Sequence, residues 1–412
     1  MNDSRKETGV SDAFAKRVRR HVGGRARDYY AIVSPGFEGC TRQELIALGI
    51  DESDIRISTG GVTFRGRFVD CQRANLHLRT ATRILMRIDS FTATNPRQLE
   101  KRCASIPWDL YLIEGTRPEI KVRSQRSRLY HSDVVAEAVR KAIAGCLPGS
   151  SQSPSTDFPQ TVFVRLSDDR VTLSLDSSGA PLYKRGLKQG AARAPLRESL
   201  AAAMLMWAGY DSRRPLMDPM CGSGTVSLEA AMMAKGMAPG GLRNFAFMGW
   251  PAFGERQWLF LKREAESDIK VVNRPPIHAS DLDAAACKML SGIISDSGLS
   301  DALTVTVKDF FDCEGDQVED GPGLVAINPP YGVRIGSAHQ AADLFQRICR
   351  HLDAAFTGWD VALIAPERSF LQAVPFAFRQ VPMRHGGLRL TLLSGTVGRQ
   401  SPAGKRKRKR EM

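Results

Sequence analysis

The chain lacks the sequence marks of several function classes. Its eight cysteines, at positions 40, 71, 103, 146, 221, 287, 313 and 349, include no C-x-x-C pair. That argues against a disulfide framework or a zinc ribbon and fits a reducing cytoplasm. Seven histidines show no H-E-x-x-H and no ligand spacing, so no metal is expected. No apolar h-region precedes a cleavage-like site near the start. The longest apolar stretch, Leu200 to Gly209, is far too short to span a bilayer, so no membrane association is expected. No Gly-Lys-Ser/Thr follows the glycine-rich turn at 222–224, which excludes a phosphate-binding P-loop.

What is present is positive charge. The 412 residues carry 58 Lys and Arg against 44 Asp and Glu, a formal net charge of +14. Such an excess points to polyanionic partners and to binding that weakens with salt. Hydrophobic content of 42% and charged content of 25% are ordinary for a folded protein, and the length implies two or three domains.

Residues 1–27 hold clustered cations (Lys16, Arg17, Arg19, Arg20, Arg25, Arg27) with little apolar periodicity, which reads as a mobile basic lead. From residue 28 to 94 a small α/β unit is expected. It opens on the strand Tyr30 to Val33 and a helix from Thr41 to Leu48, with Thr41 as N-cap and Glu44 at N3. Residues 95–178 read as a second small unit with strands at 120–123, 162–166 and 171–175, the last two joined by Asp168-Asp169, and a helix from Ser132 to Ile143. Residues 149–155, rich in Ser, Gly and Pro, are a loop by composition. Lys121, Arg123, Arg126 and Arg128 fall within eight residues beside hydroxyls and an amide, a pattern that suits phosphate contact and equally a solvated edge strand. Residues 182–398 alternate short aliphatic strands (216–217, 277–279, 304–307, 324–327, 361–365) with helices, the pattern of a doubly wound parallel sheet. The cationic run Lys405 to Arg410 cannot pack, so residues 399–412 read as a disordered tail that either adds a polyanion contact or only keeps the protein soluble.

Two motifs in the third unit carry the chemistry. The strand at 216–217 leads into Asp218-Pro219-Met220-Cys221-Gly222-Ser223-Gly224-Thr225 and then a helical run. Gly222 and Gly224 permit a sharp strand-to-helix turn with positive φ, and the helix from Thr225 aims free N–H groups at a ligand. The third glycine of the dinucleotide pattern is missing, since Ser227 holds its place. Downstream, Asp281 ends a strand where a carboxylate can accept from both ribose hydroxyls, and Asp283 follows as a helix cap. Asp309 ends the next strand, placed to accept from an adenine amine, with Phe310 or Phe311 beside it to cover a ring.

The second motif, Asn328-Pro329-Pro330-Tyr331, follows the buried run 323–327. The nitrogen of an exocyclic base amine is a poor nucleophile because its lone pair is conjugated. Asn328 Oδ1 and a proline carbonyl could accept both N–H groups and turn the lone pair toward an activated methyl group. The prolines hold these acceptors rigid, and Tyr331 offers a face on which an extruded base stacks.

In order, Asp-Pro-Met-Cys-Gly-Ser-Gly-Thr, Ser-Asp-x-Asp, Lys-Asp and Asn-Pro-Pro-Tyr-Gly resemble the class I S-adenosylmethionine-dependent RNA methyltransferases that carry a THUMP domain. Within these the chain is most similar to the bacterial large-subunit ribosomal RNA guanine-N2 methyltransferases of the L type. The likeness also takes in 78–85, 182–186, 194–203, 238–240 and 247–250. It implies a ferredoxin-like lead, a THUMP module for RNA and a Rossmann-like catalytic domain, with S-adenosylmethionine as cofactor and 23S rRNA or an early large-subunit particle as partner. A transfer RNA guanine is the nearest alternative substrate, and a non-catalytic RNA-binding assembly factor is the alternative of another class. Carried over by position, Asp218, Gly222 and Gly224, with Pro219, Cys221 and Thr225 in the same loop, line the methionine end of the cofactor. Asp281 takes its ribose, Asp309 and Phe310 its adenine, and Asn328, Pro329, Pro330 and Tyr331 the guanine. The RNA contacts implied are Lys121, Arg123, Arg126 and Arg128, with Lys184 and Arg185 after them. Some members fuse a second methyltransferase domain, and its activity is not expected here. The long stretch between Gly224 and Asp281 is an insertion whose aromatics, Phe245, Phe247, Trp250, Phe253 and Trp258, are expected to fold it against the catalytic domain.

Overall fold

A computed structural model of the chain describes residues 12–147, 158–187, 196–274, 276–319, 321–330, 338–366 and 368–398. Tyr331, the tail at 399–412, the loop at 149–155 and residues 1–11 lie outside the described residues. The chain divides into two compact units. The first comprises Met1–Val33, Thr41–Leu182 and Arg243–Arg263, and the second Ser34–Cys40, Tyr183–Leu242 and Glu264–Met412.

The first unit holds α1 (Asp12–Val18), β1 (Arg27–Val33), most of α2 (Glu38–Ala47), β2 (Ile55–Ser58), β3 (Gly61–Gly66), α3 (Phe68–His77), β4 (Ala81–Thr92), α4 (Pro96–Ala104), β5 (Glu119–Gln125), α5 (Ser132–Cys146), β6 (Thr161–Ser167) and β7 (Arg170–Asp176). All seven strands form one sheet in the order β2-β3-β1-β4-β7-β6-β5. The twelve-residue β4 makes this possible: its first half pairs with β1 and Leu85 to Thr92 pair with β7, both antiparallel. The sheet therefore runs unbroken from residues 28–94 into residues 95–178.

One face of this sheet is apolar and buried, with Val62, Phe64, Tyr29, Ile84, Met86, Leu173, Leu175 and Val164 at or near zero exposure. Helices α3 and α5 pack on it. The β6–β7 hairpin turns at Asp168-Asp169, both with positive φ (51° and 62°), the geometry of a two-residue type I′ turn.

Three expectations change here. The basic lead is helical from Asp12 to Gly23, with Val18 and Val22 buried and Arg17 Nη1 2.8 Å from Asp109 Oδ2. Two valines four residues apart are a short apolar stripe that the surrounding cations obscure. Helix α2 begins at Glu38, so Glu44 is no capping residue. Its half-buried carboxylate accepts from Arg79 N at 2.6 Å and Thr80 N at 3.2 Å, and desolvation pushes its pKa up. The aromatic insertion packs within the first unit instead of on the catalytic one. Phe247 stacks on Phe245 at 5.2 Å, Trp250 stacks on Phe68 at 5.6 Å, and Trp250 Nε1 donates to Gln160 at 2.8 Å. Sequence adjacency to the cofactor loop gives no hint of which surface these rings cover.

The second unit holds α6 (Glu198–Ala208), β8 (Leu216–Asp218), α7 (Thr225–Ala234), the end of α8 (Glu255–Ser267), β9 (Ile277–Asp281), α9 (Ala284–Asp296), β10 (Leu303–Val307), β11 (Leu324–Ile327), α10 (Ala338–Ala355), β12 (Asp360–Ala365), β13 (Phe378–His385) and β14 (Leu388–Thr396). Strand order is β10-β9-β8-β11-β12-β14-β13, with the first five parallel and the last two antiparallel. Strands β8, β11 and β12 are buried on both faces, which their unbroken aliphatic runs require. Strand direction reverses its progression between β8 and β11, the crevice where doubly wound sheets bind ligands. Among the described residues no helix is long and apolar enough to cross a membrane.

Phe247→Ala removes a ring with no exposed surface. It is expected to cost about 3–5 kcal/mol of stability in urea titrations while leaving cofactor affinity unchanged within error. An equal loss of cofactor affinity would return the insertion to the catalytic unit.

Candidate active site

The parallel strands deliver four polar side chains to one edge. Asp309 follows β10, Asp281 ends β9, Asp218 ends β8 and Asn328 follows β11, and these strands are neighbours in that order. At about 4.8 Å per strand the four residues span roughly 14 Å. They line one cavity of about 560 Å³, together with Pro219, Cys221, Gly222, Thr225, Phe310, Phe311, Pro330 and Arg347. That volume lies in the range of small-molecule sites.

The loop after β8 is held from within. Asp218 is 1% exposed, and its Oδ2 accepts from Ser227 N at 3.1 Å and from the Ser227 hydroxyl. The serine in the place of a third glycine thus ties the strand end to the first turn of α7. Gly222 and Gly224 both take positive φ, 51° and 71°. A Cβ at Gly224 would sit 2.3 Å from Leu290 Cδ1, whereas one at Gly222 would meet nothing within 4 Å. Gly224 therefore serves close packing on α9 and is not part of the cavity wall, and Gly222 leaves its side of the cavity open. Helix α7 is apolar almost all round and buried, which fixes its N-terminus at the cavity floor.

Asp281 is oriented by two backbone donors, Gly222 N to Oδ2 at 2.8 Å and Asp283 N to Oδ1 at 3.0 Å. Asp283 caps α9, accepting from Ala285 N and Ala286 N. Asp309 accepts from Phe311 N at 3.1 Å. Phe310 is 2% exposed and packs edge-on to His351 and parallel to Phe356, so it forms the cavity's inner wall. The more accessible ring is Phe311, with the Arg347 guanidinium 4.2 Å from its centre. Arg347 comes from α10, outside every motif, and no local pattern in the sequence marks it.

On the opposite wall Asn328 Oδ1 is buried and accepts no hydrogen bond from the described residues. A buried acceptor without a donor costs about 1–3 kcal/mol, so an orphan here marks a place where a donor is to be supplied. Pro330 lines the cavity, while Pro329 is buried behind it. The Cys221 thiol is pushed far above its usual range by burial, then by the Asp218 and Asp281 charges. It remains protonated and supplies no thiolate. Among the described residues no group of three or more His, Cys, Asp or Glu could hold a metal.

The cations named from sequence divide. Lys121, Arg123, Arg126 and Arg128 are exposed on β5 and the turn after it. Arg126 makes a bidentate pair with Asp168 at 2.9 and 3.1 Å, Arg128 lies 3.3 Å from Asp169, and Lys121 lies 3.0 Å from Glu119. Exposed pairs of this kind are worth little and exchange readily for phosphate. Lys184 is exposed. Arg185 is not an RNA contact: its side chain is 3% exposed and grips the fully buried Glu229 of α7 at 2.9 and 3.4 Å. A buried carboxylate on an apolar helix demands a buried partner, and the sequence separation of the two residues hides the pairing. Arg185→Met removes the buried cation that faces Glu229 and is expected to cost about 3–5 kcal/mol in urea titrations, with part of the loss restored when Glu229→Met is added. An Arg185 variant of normal stability would leave the pair without a structural role.

Known proteins resemble this chain along most of its length. Residues 185–393 match the RMKL-like methyltransferase domain, and residues 28–85 match the RlmL ferredoxin-like domain. A Synechocystis protein described as a candidate RNA methyltransferase is 31% identical over 373 residues, which covers 89% of this chain and 96% of that one. The ribosomal RNA large subunit methyltransferase K/L of Methylococcus capsulatus is 33% identical over 349 residues, covering 82% of this chain and 47% of its own. The chain thus spans about half the length of that relative. The crystal structure of SMU.472, described as a candidate methyltransferase complexed with SAH, superposes with a TM-score of 0.80 at 25% identity, covering 91% of this chain and 99% of that one. By the match over residues 185–393 and the identity that extends along nearly all of the Synechocystis relative, the chain belongs to the RMKL-like methyltransferase family.

Proposed function

We propose that the protein transfers a methyl group from S-adenosylmethionine to the exocyclic N2 amine of a guanine in 23S ribosomal RNA. The observation that carries this reading is the orphaned Asn328 Oδ1, facing a cavity whose other wall holds Asp218, Asp281 and Asp309. The large-subunit relatives, by their printed names, support ribosomal RNA, and the net charge of +14 supports a nucleic-acid partner. The residues present fit the cofactor: Asp281 would accept from ribose hydroxyls, Asp309 from the adenine amine beside Phe310 and Phe311, and the open backbone at Gly222 would admit the methionine end.

S-adenosylmethionine supplies an activated methyl group on sulfur. Asn328 Oδ1 accepts one amine N–H and a proline carbonyl the other, which pyramidalises the nitrogen and aims its lone pair. A nitrogen–carbon bond forms as the sulfur–carbon bond breaks, and the proton leaves to water once the nitrogen carries the methyl. No strong base is required, because the amine becomes acidic only after it has gained the methyl. Residues 28–178 hold the RNA, with residues 95–178 acting as a THUMP module.

Purified protein is incubated with methyl-labelled cofactor and RNA from a strain lacking the gene, and the nucleosides are resolved by mass spectrometry. Label is expected in N2-methylguanosine from 23S rRNA. Asn328→Ala is expected to lower the rate about 10²–10³-fold with cofactor affinity intact. Asp281→Ala is expected to weaken cofactor binding by about 1.5–3 kcal/mol. The same nucleoside from tRNA would move the substrate and keep the chemistry, and tight cofactor binding with no label in any RNA would overturn the enzymatic reading.

A further inference from the structure

The cavity at the strand ends is acidic with one exception. Among the described residues that line it, the charged groups are Asp218, Asp281, Asp283 and Asp309 on one side of the account and Arg347 of α10 on the other. An arginine that reaches into such a place is drawn toward a carboxylate. Arg347 lies on a ring instead: its guanidinium is 4.2 Å from the centre of Phe311, and among the described residues it forms no ion pair with any of the four acids.

The packing of α10 holds this contact in place. Arg347 and His351 stand four residues apart on the same face of the helix. His351 Nε2 donates to Cys313 O at 2.9 Å, and its imidazole stands edge-on to Phe310 at 4.8 Å and to Phe311 at 5.6 Å. Phe345, Ile348 and Leu352 of the same helix are buried in the core that also takes in Phe310 and Cys313. Helix α10 and the loop at 309–313 therefore pack as one body, and the stem of Arg347 starts from a fixed point. Its side chain remains exposed at the mouth of the cavity.

The two rings beside Asp309 differ in freedom. Phe310 is 2% exposed and in contact with His351 and Phe356, which makes it a fixed wall. Phe311 is partly exposed, and Arg347 covers it. Adenine is flat and uncharged, with an amine on one edge. A carboxylate suits that edge, and a guanidinium suits the face, because arginine stacks on π-systems through both its charge and its plane. The group that lies on Phe311 can lie on adenine in the same way.

We propose that Arg347 is a further cofactor-binding residue: its guanidinium is the movable part of the adenine subsite, and Phe310 is the fixed part. This rests on the placement of adenine beside Asp309 and adds to it a residue that no motif marks.

The test uses the full chain and two probes, S-adenosylhomocysteine and 5′-methylthioadenosine, the second of which keeps the adenosine end and lacks the amino acid. Dissociation constants are measured by calorimetry for the native protein, Arg347→Ala, Arg347→Lys and Asp309→Ala. Arg347→Ala is expected to weaken both probes by one common factor of about tenfold, with an unchanged urea midpoint because the side chain is exposed. Lysine keeps the charge and loses the plane, and is expected to regain only part of the loss. Native affinity for both probes in Arg347→Ala, a loss confined to S-adenosylhomocysteine, or full recovery by lysine overturns the role of Arg347 while Asp309→Ala still weakens both. Weaker binding of 23S rRNA by Arg347→Ala, with both probes held as tightly as before, assigns the arginine to a phosphate and overturns it likewise. An Asp309→Ala protein that binds 5′-methylthioadenosine as the native one does removes the adenine placement and this proposal together.

Discussion

Burial on both faces governs the catalytic unit. A strand packed between helix layers cannot carry a polar side chain along its length, so polar function is driven to the strand ends, and parallel strands place all of those ends on one edge. Strands β8 and β11 obey this strictly: every residue of Leu216–Asp218 and Leu324–Ile327 is buried, and the first polar groups after the apolar runs are Asp218 and Asn328. The crevice between these two strands follows from the reversal of strand progression, and it separates the carboxylate wall from the orphaned amide. Apolar α7, anchored by the Arg185–Glu229 pair, then fixes the loop that forms the floor.

The first unit solves the opposite problem with the same materials. Its outer strands alternate, so positions such as Arg65 of β3 and Arg165 of β6 are exposed and carry charge, while β7 is buried along most of its length. The catalytic sheet gathers a few groups around a small cavity, whereas this one distributes many over a wide surface.

Much of this is legible in the sequence where the signal is local. The five parallel strands announce themselves as aliphatic runs, Gly222 and Gly224 as a positive-φ turn, Asp283 as a cap, and Asp168-Asp169 as a hairpin turn. The antiparallel pair β13 and β14 is not legible, since Pro382 and the charges of Phe378–His385 mask a strand that can tolerate them only at a sheet edge. What the sequence hides is information held in distant partners. Arg185 looks like one more cation until Glu229 is found beside it, Glu44 looks like a capping residue until Thr80 meets it, and Arg347 has no motif at all. The aromatic insertion reads as a packed element, but a ring's burial says nothing of which surface buries it.

The long strand β4 carries a consequence for how the chain can be divided. Because β1 and β7 hydrogen-bond to opposite sides of the same strand, the two halves of the first unit share a backbone ladder and have no hinge within it. A fragment beginning after residue 94 would present the ladder side of β7, with Leu173 and Leu175 upon it, as an open sheet edge, the kind of template on which chains associate wrongly. The family match that ends at residue 85 thus ends within β4, inside a continuous hydrogen-bonded sheet.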